Sequence, residues 1–367
     1  MQRDMLRTAN ELVNRGNSVD IYCLSWNGDL PGTGIAVHVI PTKGLFNYQR
    51  YQKFINQAQA AIEKVGDYDF IFGYNRMAGL DAHFAADPCF MERAKQRNFL
   101  YRWLPRVKWF AETERVIFDA ASTTEILMVS EAEKKHFQHW YHTPEVRFHF
   151  IPPYLSKARF ELQDKALMRT QLRSAFGFAN DDFVFMLTGS GFHMKGLDRA
   201  ILALASLPPD YLTRVKLLAV GQDNPKPFEK MAKKLGVADN LVISKGRPDI
   251  PQLMQGADVC VHPAYRENTG LVILEALASA APMLVTESCG YAYHIDEANA
   301  GKVVRLPFDQ SQFNQAFKEM IDSPRKSEWA ANGLAHARKL MEENDGSAEA
   351  KILIALAENK ARNSGHP

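Results

Sequence analysis

Glu267 and Glu275, with seven residues between them, bracket the start of a helical pattern in the segment His262–Glu275, HPAYRENTGLVILE. The segment leaves an apolar strand pattern at Val259–His262, places Glu267 in a loop and then enters the helix. Asn268 or Thr269 is positioned to cap that helix through a side-chain oxygen. Gly270 allows a ligand to approach the backbone closely, and Leu271 opens the first turn. The N–H groups of a first turn have no partner within the helix and suit an anion such as a diphosphate. Two carboxylates beside a site for phosphate alone make little sense. They fit a ligand that carries hydroxyls on both sides of a diphosphate, which is the description of a nucleotide sugar. The plainer alternative is a capped helix with one solvent-facing glutamate.

A second Gly-rich turn, Thr188-Gly-Ser-Gly-Phe-His-Met-Lys195-Gly196, follows another apolar run. With Lys195 it reads as a phosphate cradle, against the alternative of a plain strand–helix turn. It lacks the GK[ST] of a Walker loop, and Met194 stands where GxGxxG needs its third glycine. Gly221-Gln222-Asp223 and Gly246-Arg247-Pro248 occupy similar strand ends and are weaker signals. Asp67-Tyr68-Asp69 has the form of a metal-binding DxD but precedes its strand, which favours a turn. His136, His139 and His142 recur at helical spacing without a carboxylate or cysteine to complete a metal set, so a solvated helix end is the expectation.

Residues 94–111 (AKQRNFLYRWLPRVKWFA) carry Lys95, Arg97, Arg102, Arg106 and Lys108 and no acid, with Tyr101, Trp103, Trp109 and Phe110 interleaved among them. Cations mixed with large rings suit an anionic membrane surface or single-stranded nucleic acid. An amphipathic helix that buries its aromatics is the competing reading.

The elements that would position these residues alternate strand and helix. Candidate strands are Val19–Ser25, Ile35–Pro41, Tyr68–Gly73, Glu125–Ser130 and His149–Pro153, then Phe183–Thr188, Val215–Val220, Leu241–Ser244, Val259–His262 and Met283–Thr286. Tyr48–Lys64, Leu197–Leu207 and Phe228–Leu235 read as helices. Such alternation implies α/β architecture with parallel sheets covered on both faces. Two series joined near Pro152-Pro153 predict two doubly wound domains facing a cleft, residues 1–153 and 154–340, with a helix near 341–367 returning to the first. Length agrees: 367 residues suit about two domains. With 44 Lys and Arg against 42 Asp and Glu, the net charge of +2 does not point to nucleic acid. The four cysteines are far apart and mostly in apolar runs, which predicts reduced, buried thiols. No apolar run approaches the ~18 residues of a membrane span.

Taken together, EN-TGLVILEAL with QRDMLRTANELVNRG, FGYNRMAGLDAHFAADPCF, LTGSGFHMKGLDRAILALASLP and VGQDNPKPFEKMAKKLGV resemble the lipopolysaccharide core glucosyltransferase I family. These are retaining glycosyltransferases of family 4 with the GT-B fold and an EX7E signature. The resemblance implies transfer of glucose from UDP-glucose to a heptose of the lipopolysaccharide inner core in Gram-negative bacteria; no metal-ligand set is visible in the sequence, so a metal-independent reaction without a cofactor is expected. It implies that Glu267 contacts the donor sugar and Glu275 the ribose. Backbone at Asn268, Thr269, Gly270 and Leu271 would hold diphosphate and sugar, Lys195 would neutralise phosphate, and Arg159 would reach the donor. Asp4 and Asp87 would face sugar and acceptor, making Asp4, Asp87 and Glu267 the expected catalytic set. The family further implies a peripheral enzyme on the cytoplasmic face of the inner membrane. Contact with the anionic surface falls to Arg102, Trp103, Arg106, Lys108 and Trp109, and other core-biosynthesis enzymes are candidate partners.

The sequence departs from the family pattern twice. Met194 stands where an Arg usually precedes the phosphate Lys. The family also opens with a strand and a Gly-Gly turn before QRD, so a missing first strand is expected. That departure raises a second reading, a catalytically impaired, truncated protein that binds a sugar nucleotide while docked on the membrane. A dehydrogenase or epimerase is disfavoured, because no strand–GxGxxG–helix unit is present.

Overall fold

The computed structural model describes residues 2–95 and 97–363, apart from the side chains of residues 2, 3, 158 and 159. The chain divides into two compact units, residues 1–152 with 345–367, and residues 153–344.

In the first unit all pairing is parallel. β1 (Val19–Cys23) pairs with β2 (Ile35–Val39), while β3 (Phe72–Gly73), β4 (Ala82–Ala85), β5 (Glu125–Met128) and β6 (Phe148–Phe150) form a second sheet in that order. Among the described residues no strand joins the two sheets. Side chains reach between them instead: the Tyr22 and Tyr68 hydroxyls are 2.8 Å apart, and Tyr68 donates to Asp20 Oδ2 at 3.0 Å. β3 is shorter than the strand expected over Tyr68–Gly73. The cause is local: the Asp81 carboxylate accepts from the Ile71 N–H at 2.7 Å, removing that donor from the ladder. Phe118 and Phe137 stack at 3.8 Å in the core beside Ile117 and Ile126. The helix Ala348–Asn363 belongs to this unit, with Leu353 buried against Ala82, Phe84 and Leu127. Its buried Glu349 accepts from the Tyr74 hydroxyl and pairs with Arg7 at 3.6 Å, tying it to the helix Gln2–Asn14.

The second unit holds a six-stranded parallel sheet in the order β12-β11-β10-β7-β8-β9. Its strands are β7 (Phe183–Thr188), β8 (Val215–Val220), β9 (Leu241–Ser244), β10 (Val259–His262), β11 (Met283–Thr286) and β12 (Gly301–Val304). β7, β8, β10 and β11 are almost wholly buried, which is why they read as continuous apolar runs rather than alternating ones. One core face gathers Val184, Met186, Leu218 and Cys260; the other gathers Phe185, Leu187, Leu217, Val259 and Phe317. The strand sequence reverses direction between β7 and β10. At such a switch point the connections leave in opposite directions and open a crevice beyond the carboxyl ends of the strands.

Candidate active site at the switch point of the second unit

Both Gly-rich segments singled out in the sequence leave the sheet at this crevice. β7 ends at Thr188 and opens into Gly189–Gly196, and β10 ends at His262 and opens into Pro263–Gly270. The two loops are fitted to each other. A Cβ on Gly196, which has φ +77°, would sit 2.0 Å from the Pro263 carbonyl oxygen, so only glycine permits this approach. The Tyr265 N–H donates to the Met194 carbonyl at 3.0 Å. Arg199 donates to the carbonyls of Pro263 and Ala264 at 3.0 Å each, its guanidinium lying 3.6 Å from the ring centres of both Tyr265 and Phe308.

Lys195 and Glu267 meet in an ion pair between the loops. His262, fully buried at the end of β10, approaches the same carboxylate at 3.4 Å through Nε2. Burial of Glu267 opposes its ionisation, but His262 and Lys195 outweigh that and bring its carboxyl down to about 2. Burial keeps His262 neutral, lowering its pKa below the ordinary imidazole value despite Glu267. The site therefore presents a fixed carboxylate beside a cation. A fixed carboxylate accepts hydrogen bonds from hydroxyls, and the cation suits a phosphate.

The turn that follows β11 pairs with the loop from the other side through an isolated bridge between Glu267 and Cys289. Glu267 N–H donates to the Ser288 carbonyl at 3.1 Å, Gly290 N–H to the Glu267 carbonyl at 3.1 Å, and Tyr291 N–H to the Thr269 carbonyl at 2.7 Å. The segment 288–291 thus holds the backbone of 267–269 in place. Cys289 lies alongside, and burial, followed by the Glu267 charge, pushes its thiol up to about 12. It is a protonated thiol at neutral pH and no nucleophile.

The structure corrects two details of the sequence reading. Neither Asn268 nor Thr269 caps the helix Leu271–Ala278; Gly270 does, at φ +84° and without a side-chain hydrogen bond. The left-handed turn there needs glycine, and an added Cβ would also crowd Ile273 and Glu267 at 3.2 and 3.3 Å. The Gly189–Gly196 turn is not an open cradle either. The Asp223 carboxylate accepts from Gly191 N–H at 2.5 Å and from Phe192 N–H at 3.2 Å. Asp223 appeared in the sequence only as a weak strand-end signal, and its partners lie 32 and 31 positions away.

Glu275 lies one turn into the helix Leu271–Ala278, half-buried. Lys195, Glu267, Gly270, Leu271 and Glu275 are thus gathered in one unit, with Asn268 and Thr269 between them. The side chain of Arg159 lies outside the described residues. Asp4 and Asp87 belong to the first unit. Asp4 accepts from Arg7 at 3.0 Å, and Asp87 is exposed between β4 and the helix Phe90–Lys95. That helix start is set by the buried Glu114, which accepts from the N–H groups of Phe90 and Met91 at 2.7 and 3.1 Å and pairs with Arg76 at 2.8 Å.

The chain matches the glycosyl transferases group 1 family over residues 168–335 and Glycosyltransferase Family 4 over residues 1–157. It is 38% identical over 339 residues to the lipopolysaccharide glucosyltransferase WaaG of Escherichia coli strain K12, covering 92% of this chain and 90% of that one. The chain belongs to the WaaG family of glycosyltransferases. A crystal structure of WaaG, a glycosyltransferase involved in lipopolysaccharide biosynthesis, superposes with a TM-score of 0.88 at 35% identity, over 96% of this chain and 95% of that one. The protein is therefore a glycosyltransferase with the GT-B fold of two Rossmann-like units. Anabaena HepE in complex with UDP-glucose shares that fold at 17% identity and a TM-score of 0.66, over 94% of this chain and 98% of that one.

Elsewhere in the first unit, the basic–aromatic segment does not bury all its rings. Phe99, Leu100 and Trp103 are 60–73% exposed, while Arg102, Arg106 and Lys108 are exposed around them. Lys108 lies 4.8 Å from the Trp103 ring centre. Trp109 differs: it is half-buried, bonds Gln52 through Nε1 and packs on Tyr48 and Phe110. It lines a cavity of about 730 Å³ with Lys43, Leu45, Tyr48 and Lys53. Leu45 is 92% and Phe46 60% exposed, a part of this apolar surface that sequence patterning missed because the two residues stand alone in a loop. No helix among the described residues is long and apolar enough to cross a membrane. His136 lies 3.8 Å from Glu92, and His142 closes the helix Glu131–Tyr141 in the left-handed conformation.

Proposed function

We propose that this enzyme transfers glucose from UDP-glucose to a heptose of the lipopolysaccharide inner core with retention of anomeric configuration. The arrangement that carries the reading is the Lys195–Glu267–His262 group at the switch point, in a chain similar along 92% of its length to a lipopolysaccharide glucosyltransferase. Glu267 accepts hydrogen bonds from the hexose hydroxyls and Glu275 from the ribose. Lys195 exchanges its carboxylate partner for the donor diphosphate, supported by backbone from Asn268 to Leu271 and by Arg159. Asp4 and Asp87 serve the acceptor.

In the proposed step the acceptor hydroxyl oxygen bonds to the anomeric carbon on the face from which UDP departs. The bond from that carbon to the diphosphate oxygen breaks, and the acceptor proton passes to the departing phosphate. Lys195 and the start of the helix Leu271–Ala278 stabilise the growing negative charge. No metal or cofactor is assigned to the transfer. The enzyme is placed on the cytoplasmic face of the inner membrane, docked through Arg102, Trp103, Arg106 and Lys108, with Trp109 beneath them. There it meets its lipid-anchored acceptor and candidate partner enzymes of core synthesis.

The test is incubation with heptose-terminated core acceptor and either UDP-glucose or UDP-galactose in the presence of a chelator. Expected are UDP release that depends on acceptor, preference for UDP-glucose, and an α-linked product by NMR. A β-linked product, or release that needs no acceptor, overturns the assignment.

A further inference from the structure

On the second unit, away from the Lys195–Glu267 pair in sequence, three side chains with metal-ligand chemistry converge from two helices. His294 and Glu297 lie one turn apart on the helix Tyr293–Ala298, and His336 projects from the helix Lys326–Glu343. His294 Nδ1 is 2.9 Å from His336 Nε2 and 3.7 Å from Glu297 Oε2. All three ligand atoms lie within 4.8 Å of one another, and among the described residues no other group of three or more His, Cys, Asp or Glu side chains does this.

We propose that His294, Glu297 and His336 form a binding site for a divalent transition metal ion of the zinc or cobalt type.

The geometry supports this on several counts. Zinc–nitrogen bonds of about 2.0–2.1 Å at tetrahedral angles place neighbouring ligand atoms roughly 3.3 Å apart. The 2.9 and 3.7 Å separations straddle that value and the third pair lies within 4.8 Å, so side-chain movements of about an ångström, chiefly of the exposed Glu297, would seat an ion. The donor set of two imidazoles and one carboxylate suits borderline metals rather than magnesium or calcium, which prefer all-oxygen ligands. His294 is 3% exposed, and its Nε2 is buried without a hydrogen-bond partner, so Nδ1 is its one bonding nitrogen and points at the other two ligands. Glu297 is exposed and gives the ion a path from solvent.

The site bears on the candidate active site through the backbone. The helix Tyr293–Ala298 begins directly after Gly290 and Tyr291, whose N–H groups hold the carbonyls of Glu267 and Thr269. An ion joining this helix to Lys326–Glu343 would brace the segment that supports Glu267. Metal binding itself does not depend on the donor assignment, and its test avoids activity as a readout.

The full-length protein, stripped with a chelator, is titrated with Co²⁺ and followed by visible absorption, then challenged with Zn²⁺. Expected is one Co²⁺ per chain with the absorption of a four-coordinate ion, lost on adding Zn²⁺. Zn²⁺ at 100 times its Kd should raise Tm by several degrees. His336→Ala and Glu297→Gln, both at accessible positions, should each weaken Co²⁺ binding at least about tenfold and cut the Tm increment at the same Zn²⁺ concentration to about half or less. His136→Ala should change neither. Absence of stoichiometric Co²⁺ binding in the parent overturns the proposal, and so does unchanged affinity in both ligand variants.

Discussion

Lys195 and Glu267 lie 72 positions apart in the chain and form an ion pair between the loops that leave β7 and β10. The pairing holds a cation of one loop against a carboxylate of the other. A donor diphosphate therefore competes with Glu267 for Lys195. Removing the carboxylate should free the cation: Glu267→Ala is expected to bind UDP at least as tightly as the parent while turnover falls about 10²-fold. Glu275→Ala should weaken UDP itself, and Lys195→Ala both UDP affinity and turnover. Calorimetric titration with UDP beside steady-state rates separates the three, and parallel loss of UDP affinity in both glutamate variants would contradict this division.

The same pair predicts an acid-side loss of stability. The Glu267 carboxyl stands at about 2 in the folded protein against an ordinary 4.5. A carboxyl lowered on folding contributes stability above its unfolded value, and that contribution disappears as pH falls through the folded one. The contribution is of order 3 kcal/mol, lost between about pH 4.5 and 2. Glu267→Gln should flatten the stability curve in that window. Urea unfolding at pH 7, 4.5 and 3 measures it; parallel curves for parent and variant would show that the carboxylate is not held this way.

Two glycines of one loop should respond differently to alanine. Gly191 and Gly196 both have left-handed backbone, but a Cβ on Gly191 meets nothing nearer than Met194 Cβ at 3.9 Å, whereas one on Gly196 strikes the Pro263 carbonyl. Gly191→Ala should cost about 1–2 kcal/mol of backbone strain alone. Gly196→Ala must also push the two loops apart and should cost several kcal/mol and most of the activity. Denaturant midpoints for both variants check the order.

What was legible in the sequence follows from burial. β7, β8, β9, β10 and β11 coincide with apolar runs because the sheet is covered on both faces. β4, Ala-His-Phe-Ala, went unread: it lacks β-branched residues, and its buried His83 is accommodated by the Gly73 carbonyl at 2.9 Å. β12 went unread because Gly301 and Lys302 interrupt it, although Gly301 is there to pass the Met283 carbonyl closely. The EX7E spacing showed which carboxylates matter. It could not show that His262 and Lys195 converge on Glu267, nor that Asp223 occupies amides of the Gly-rich turn, because these contacts depend on strand order. The return of the helix Ala348–Asn363 to the first unit likewise rests on Leu353 packing against β4 and β5 and on Glu349 meeting Tyr74 and Arg7, all far earlier in the chain.

Membrane docking is open to a direct test on the exposed face of the first unit. Arg102, Arg106 and Lys108 stand around Trp103, which is 60% exposed, with Phe99 and Leu100 exposed beside it in sequence. A net charge of +2 supplies little attraction from the protein as a whole, so the pull of an anionic leaflet must come from this patch. Each cation near such a surface contributes about 1 kcal/mol, and the field falls off within a Debye length of about 10 Å at 0.1 M salt. The protein should co-sediment with vesicles containing anionic lipid, bind neutral vesicles weakly, and be released by salt. Changing Arg102, Arg106 and Lys108 together to Ser should lower the affinity for anionic vesicles roughly 100-fold and leave UDP affinity unchanged. Trp103→Ser should weaken binding further, because an exposed indole settles at the headgroup level. Trp109→Ser should instead lower stability, since that ring is held by Gln52, Tyr48 and Phe110. If the triple variant sediments with anionic vesicles like the parent, the cations merely solvate the helix, and the docking face lies elsewhere.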